Sequence, residues 1–267
     1  MGKVLTSAII TAFRDEGYYT PLRLFDRAEA DDLFQSYIQF QEKAVEMLGA
    51  EQRFKTHLLA KWLANVVRDP RILDVIEEFI GSNILCWSTA FFAKSANSAG
   101  YVGYHQDAAI NFVEPHSDII HLWLALKPTT KENGCLRVLP RSHIGDVLPL
   151  SQSNVGENVL LEGTQANLDA AENEFVDLIL DAGEASLHHH RTVHGSGPNQ
   201  SDTDRLGVSI SYMPTSAHNP KLADSATLVR GVDDFGNFEF EAAPDSDFSE
   251  AAIAEFRRAI TTPGGGG

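Results

Sequence analysis

An antiparallel β sandwich or barrel preceded by helices is the fold class predicted by this 267-residue sequence. Three observations carry that expectation. Apolar residues in the first eighty positions recur at helical spacing between capping signals, and from Ile84 the texture changes to short β-like runs separated by Gly, Pro, Asn and Asp. Those runs lie too close together for crossover helices, which disfavours a parallel sheet. Finally, 43% hydrophobic and 22% charged residues suit a chain that buries a core and exclude a disordered or collagen-like one.

The elements follow in order. The opening stretch MGKVLTSAIITAFRDEGYY has one basic residue before a short apolar run, then Arg14, Asp15 and Glu16 with no small-residue cleavage site, so it reads as a helix and not as a leader. Asp26 with Glu29 forms a capping-box pattern, after which Leu33, Tyr37, Phe40, Ala44 and Leu48 line one helical face. Leu58, Leu59, Trp62, Leu63, Val66 and Val67 give a broad apolar stripe. Asp69-Pro70 starts a further helix with Ile72, Leu73, Ile76, Phe79 and Ile80 inside, and Gly81 stops it. Strands are expected at 84–93, 119–127, 135–139, 176–180 and 206–213. The polar stretch 145–174, with Gln152, Ser153, Asn154, Gly156, Glu157 and Asn158, reads as an excursion that covers a site. The acidic residues between Asp224 and Glu255 read as solvated surface, and 263–267 as a frayed end. With neither repeat nor linker, the chain reads as one domain over 1–267: a helical part at 1–82, a β core at 83–214 carrying the lid-like 145–174, and an extension at 215–267.

A formal net charge of −16 argues against nucleic acid and anionic membrane surfaces, both of which call for surplus Lys and Arg. Any anionic ligand must therefore find a local basic spot. Cys86 and Cys135 cannot form a disulfide framework and read as buried thiols in a reducing cytoplasm. No uncharged stretch approaches the length of a bilayer span.

Ten histidines exceed what a fold needs. In His105-Gln106-Asp107 the first and third side chains leave an extended backbone on the same side, so one strand end offers an imidazole and a carboxylate together. About ninety residues later comes Ser186-Leu-His-His-His-Arg-Thr-Val-His194-Gly-Ser-Gly-Pro-Asn199. One imidazole from His188, His189, His190 or His194 would complete two histidines and a carboxylate, the set by which non-haem Fe(II) oxygenases keep open positions at the metal.

The surroundings are more specific. The run from Tyr104 through HQDAAINF, the run from Asp118 through IIHLWLALKPTTKENGCLRVLPRSH to His143, and His194-GSGPNQSDTD-Arg205 resemble the phytanoyl-CoA dioxygenase family of Fe(II)/2-oxoglutarate oxygenases, over roughly residues 84–214. The resemblance implies a double-stranded β-helix (jelly roll, cupin-like) core with N-terminal helices packed on it. It implies His105, Asp107 and His194 as iron ligands and as the catalytic centre. It implies Arg205 and Ser196 as partners of the distal carboxylate of the cosubstrate 2-oxoglutarate, and Trp123 as its neighbour. The strand pattern agrees, since His121, Trp123 and Ala125 share one face, as do Arg205, Gly207, Ser209 and Ser211. A guanidinium fork suits a carboxylate. His188, His189 and His190 then read as strand and outer-layer histidines, one of them lining the pocket. Lys94, Phe92 and Asn97 are candidates for the pocket wall, as are Gln106, Asn111 and Tyr104.

Where many relatives have Pro-Gly-Ser-His, this chain has Pro140-Arg141-Ser142-His143, which offers Arg141, with Lys94, to an anionic substrate group. Related halogenases lack the carboxylate at the position of Asp107, so its presence implies hydroxylation with O2 of a small-molecule metabolite, polar and either anionic or zwitterionic, with release of succinate and CO2. Desaturation, cyclisation or epimerisation by the same iron chemistry is the alternative. A non-catalytic metal- or 2-oxoglutarate-binding jelly roll is the rival from another class.

Overall fold

The computed structural model describes residues 5–152, 157–160 and 163–263. Its helices are α1 (Ser7–Glu16), α2 (Arg27–Leu48), α3 (Lys61–Val66), α4 (Pro70–Ile80) and α5 (Glu250–Thr261). Its strands are β1 (Tyr18–Arg23), β2 (Ile84–Lys94), β3 (Val102–His105), β4 (Ile120–Ala125), β5 (Leu136–Val138), β6 (Leu150–Gln152), β7 (Thr164–Ala166), β8 (Val176–Leu178), β9 (Glu184–His189), β10 (His194–Ser196), β11 (Arg205–Pro214), β12 (Ser225–Arg230) and β13 (Glu239–Phe240). A major sheet runs β1-β9-β4-β11-β2-β12-β13 and a minor one β3-β10-β5-β8, antiparallel except for the β12–β13 pair. This is the jelly-roll architecture that the sequence predicts.

The helices form where the local signals demand. Asp26 and Glu29 make both halves of the capping box of α2, Asp69 caps α4 with Pro70 in its first turn, and Gly17 and Gly49 close α1 and α2 in the left-handed conformation. The long stripe from Leu58 divides into a 3-10 turn (Thr56–Leu58) and the short α3.

Alternation then decides the layers. On β4, Ile120, Leu122 and Leu124 join Leu206, Val208, Ile210 and Tyr212 of β11 in a core shared with α3 and α4, while Trp123 and Ala125 pack inward against Leu136, Val138 and Leu178 of the minor sheet. Every residue of β4 is buried because both faces of the major sheet are covered. The space between the sheets holds the site.

Two expectations are corrected. Residues 1–82 are not wholly helical: β1 follows α1 and pairs with β9 at the sheet edge. Aromatic Tyr18 and Tyr19 with Thr20 suit a strand, and Pro21 is tolerated on an edge. The 215–263 tail is not simply a solvated surface. It supplies β12, β13 and α5, whose Ala252, Phe256 and Ala259 are buried, and the carboxylates of Asp224 and Glu241 are buried too. Within 145–174 there is a β6–β7 hairpin, while Ser153, Asn154 and Gly156 lie outside the described residues. No described helix is long and apolar enough to cross a membrane.

Candidate metal centre

His105 ends β3, Gln106 stays extended, and Asp107 opens a 3-10 turn, so residues 105 and 107 emerge together. Gln106 points the other way, donating to Arg191 O at 2.7 Å and accepting from Leu148 N at 2.7 Å, which fastens the turn rather than lining a pocket. β10 pairs with β3 so that His194 stands opposite His105, with ring centroids 4.2 Å apart. Cross-strand pairing therefore joins two histidines that are far apart in the chain.

The donor chemistry fits a cation. His105 Nδ1 lies 2.8 Å from Gly103 O and His194 Nδ1 lies 2.9 Å from Thr192 O. A carbonyl only accepts, so each Nδ1 carries the proton and each Nε2 presents a bare lone pair. The Asp107 oxygens stand 3.5 Å from His105 Nε2 and 3.8 Å from His194 Nε2. The three donor groups lie within 4.8 Å of one another. Burial alone would raise the Asp107 carboxyl, but the imidazoles packed around it, His121 and His194 with His105 and His188, hold it well below the usual carboxylate range. Burial keeps His194 well below the usual imidazole range, and hence neutral. Three acceptors turned on one point repel unless a positive ion lies between them.

Asp107, His121 and His188 form an overlapping set. Here both His121 nitrogens are engaged, Nε2 with His190 Nδ1 at 2.9 Å and Nδ1 with Ser211 Oγ at 2.9 Å, so the His105–Asp107–His194 set is the one with free donors. His188 lines the cavity, and its Nδ1 has no partner among the described residues. Of the three histidines at 188–190, it is the one that reaches the pocket.

A cavity of about 240 Å³ contains His105, Asp107, His194, Arg205, Ser196 and Trp123 together. Arg205 is 1% exposed, its guanidinium lies 4.6 Å from the centre of the Trp123 ring, and its Nε has no partner among the described residues. Burial pushes it down to about 10. Gly207 is required beneath: a Cβ there would come within 2.1 Å of the indole. Across the strand pair from Arg205, Lys94 donates to Ser196 Oγ at 2.7 Å and to the carbonyls of Ser196 and Gly197. Burial, then the charge of Arg205, pushes Lys94 down to about 7.

Lys94 is thus occupied in fixing Ser196 and does not line this cavity. Arg141 is exposed on a turn, at φ 66°, where the resembling pattern carries glycine, and is no part of the wall. Asn97 sits in another turn, and Tyr104 stacks on Phe175 on the far side of β3. Phe92 and Asn111 do line the cavity. The residue that sequence reasoning misses is Arg53. It lies over the rings of Phe92 and Phe54 at 4.4 and 5.0 Å, its Nε has no partner among the described residues, and it lines the cavity, yet it belongs to no motif that could have announced it.

Comparison with known proteins is consistent across sequence and structure. The family model described as phytanoyl-CoA dioxygenase (PhyH) matches residues 2–207. A probable alpha-ketoglutarate-dependent hypophosphite dioxygenase of Stutzerimonas stutzeri is 32% identical over 205 residues, covering 75% of this chain and 67% of that protein. The peroxisomal phytanoyl-CoA dioxygenase of Bos taurus is 31% identical over 154 residues, covering 56% of this chain and 45% of that protein, so the match spans less than half of its length. The solved structure of a non-heme monooxygenase, ThoJ in its apo form, is 33% identical and superimposes with a TM-score of 0.86 over 95% of each chain.

Proposed function

The chain belongs to the phytanoyl-CoA dioxygenase family, and on that premise we propose that it is an Fe(II)- and 2-oxoglutarate-dependent dioxygenase that hydroxylates a small-molecule metabolite. One observation carries the reading. Two bare imidazole nitrogens and a carboxylate converge in the same cavity as a buried guanidinium that has no acidic partner among the described residues.

His105, Asp107 and His194 would hold the iron. Arg205 and Ser196 would hold the distal carboxylate of 2-oxoglutarate beside Trp123, with Arg53 as a second cation on the same wall. When bound, iron and cosubstrate supply the oxidative chemistry, in which O2 and 2-oxoglutarate yield succinate and CO2 while one oxygen atom enters a substrate C–H bond. The protein supplies placement. The Nδ1 bonds to Gly103 and Thr192 fix the two rings before any ligand arrives. Trp123 and Gly207 set the height of the Arg205 fork, and Lys94 sets the Ser196 hydroxyl. Phe54, Trp87, Phe92, Ile110, Val159 and Leu160 form an apolar wall that excludes water from the reacting centre. Val159 and Leu160 belong to 145–174, which supports a covering role for that stretch. A cavity this small suits a small metabolite once the cosubstrate is in place. Lys94 and Arg141, the cations that the sequence offers to an anionic or zwitterionic substrate, lie outside this wall. Two free, buried cysteines are in keeping with a cytoplasmic setting.

The experiment is anaerobic loading with Fe(II) and 2-oxoglutarate, then a metabolite screen for succinate release in air. His194→Ala should abolish substrate-dependent succinate formation, and full activity in that variant would sink the assignment. Product mass separates outcomes, since hydroxylation adds one oxygen and desaturation removes two hydrogens. Tight 2-oxoglutarate binding with no turnover on any metabolite would favour the sensor.

A further inference from the structure

Arg53, Phe54 and Lys55 run along the edge of β2. Phe91 N donates to Arg53 O at 3.1 Å, Phe54 bridges Ala90, and Lys55 N donates to Thr89 O at 2.9 Å. Arg53 and Phe54 line the cavity; Lys55 turns away from it. Lys55 is buried, and its backbone sits at φ 48°, in the left-handed region that a β-carbon disfavours.

The Lys55 ammonium crosses to the C-terminal part of the chain, donating to Glu241 Oε1 at 2.5 Å and to Ser225 O at 2.9 Å. Glu241 also accepts from Ser225 Oγ at 2.8 Å and from Thr227 Oγ1 at 2.8 Å. His57 closes the group through Thr227 Oγ1 at 3.2 Å and Thr89 Oγ1 at 3.1 Å. Ammonium and carboxylate are thus satisfied within the protein and offer little to a ligand. A buried ion pair of this kind is a weak source of stability compared with apolar packing, and its better-attested value is in fixing one geometry over another. The geometry fixed here is the turn immediately after Arg53. Ser225, Thr227 and Glu241 all lie beyond residues 2–207, where the family match ends.

We infer that Glu241 is a positioning residue: through Lys55 it holds the 53–55 segment against β2 and so sets the Arg53 guanidinium on the cavity wall for a carboxylate of the bound cosubstrate. The inference rests on the reading that this cavity takes 2-oxoglutarate.

The test is calorimetric titration of 2-oxoglutarate into the anaerobic Fe(II)-loaded protein, comparing wild type, Arg53→Met, Glu241→Gln and the double variant. Each single change should weaken 2-oxoglutarate by about tenfold, the double variant should be no weaker than Arg53→Met, and Fe(II) affinity should stay unchanged throughout, because residues that act as one unit are not additive. Unchanged 2-oxoglutarate affinity in Glu241→Gln, or losses that multiply in the double variant, would overturn the inference. Should Glu241→Gln fail to fold, Thr227→Val decides: it removes the hydrogen bonds that Thr227 makes to Glu241 and His57, keeps the ion pair, and should weaken 2-oxoglutarate by about threefold. Failure of wild type to bind 2-oxoglutarate would sink the function and this inference together. Binding that is indifferent to Arg53→Met would sink this inference alone.

Discussion

Arg205 carries its charge into an almost fully buried position and meets an indole instead of a carboxylate. An unpaired buried charge is expensive, and a dicarboxylate cosubstrate would complete it. Arg205→Lys keeps the charge but loses the planar fork. The loss should cost about 1.5–3 kcal/mol of cosubstrate binding, read as a rise of roughly tenfold to a hundredfold in KM for 2-oxoglutarate with a smaller change in kcat. Gly207→Ala would drive a methyl into the Trp123 ring. It should destabilise the fold by about 1–3 kcal/mol in urea unfolding and weaken 2-oxoglutarate as the indole moves. Alternation along β11 sets 205, 207, 209 and 211 on one face in the sequence already, and the family resemblance implies the role of Arg205. Arg53 is not legible, since a single arginine outside any strand pattern takes its meaning only from the rings and cavity it meets.

Elements differ in how far they announce themselves. The capping box of α2 and the Asp69-Pro70 start of α4 are local chemistry, complete within four residues. β3 and β10 have four and three residues, too few for a period to register, yet their pairing sets His105 opposite His194. The acidic residues of the tail mislead for a related reason: a carboxylate reads as solvated until its partner is known, and the partner of Glu241 is Lys55, 186 positions away. Burial would raise Glu241, but a hydrogen bond from His57 and the charge of Lys55 hold it down to about 2. A depressed carboxyl stabilises the fold above its ordinary value of 4.5, and that contribution is lost as pH falls from there toward 2. Glu241→Gln should therefore destabilise the protein at neutral pH by about 3–5 kcal/mol, since Lys55 is left buried without a counter-charge. The deficit should shrink as pH falls below 4.5, which urea midpoints across that range would reveal; a constant deficit would refute the pairing as its source.

At the scale of the molecule, the site lies between two sheets, and ion binding should stiffen both. At a free Fe(II) concentration of a hundred times Kd the folded state should gain about 2.7 kcal/mol, a rise of roughly 5–10 °C in Tm under anaerobic conditions. Asp107→Ala should abolish that rise. The C-terminal extension is part of the same body: Phe248 and Phe256 belong to the core that holds Leu59, Leu63 and Leu122. Truncation after Pro214 should consequently give insoluble or unfolded chain, and a truncated protein with native circular dichroism would contradict this.

The sequence by itself determined the fold class, the major helices and the inward faces of the long strands, because these follow from periodicity and capping, which act over a few residues. The resemblance of its motifs to a known family also offered His105, Asp107, His194, Ser196, Arg205 and Trp123 as a site, and the strand pattern agreed for Trp123 and Arg205. Tertiary structure alone decided that Lys94 is spent on Ser196, that Arg141 is outside, that Arg53 is on the wall, and that Glu241 reaches Lys55 from the far end of the chain. Those outcomes depend on which charges lose water together, and burial is a property of the packed molecule that no single stretch of sequence carries.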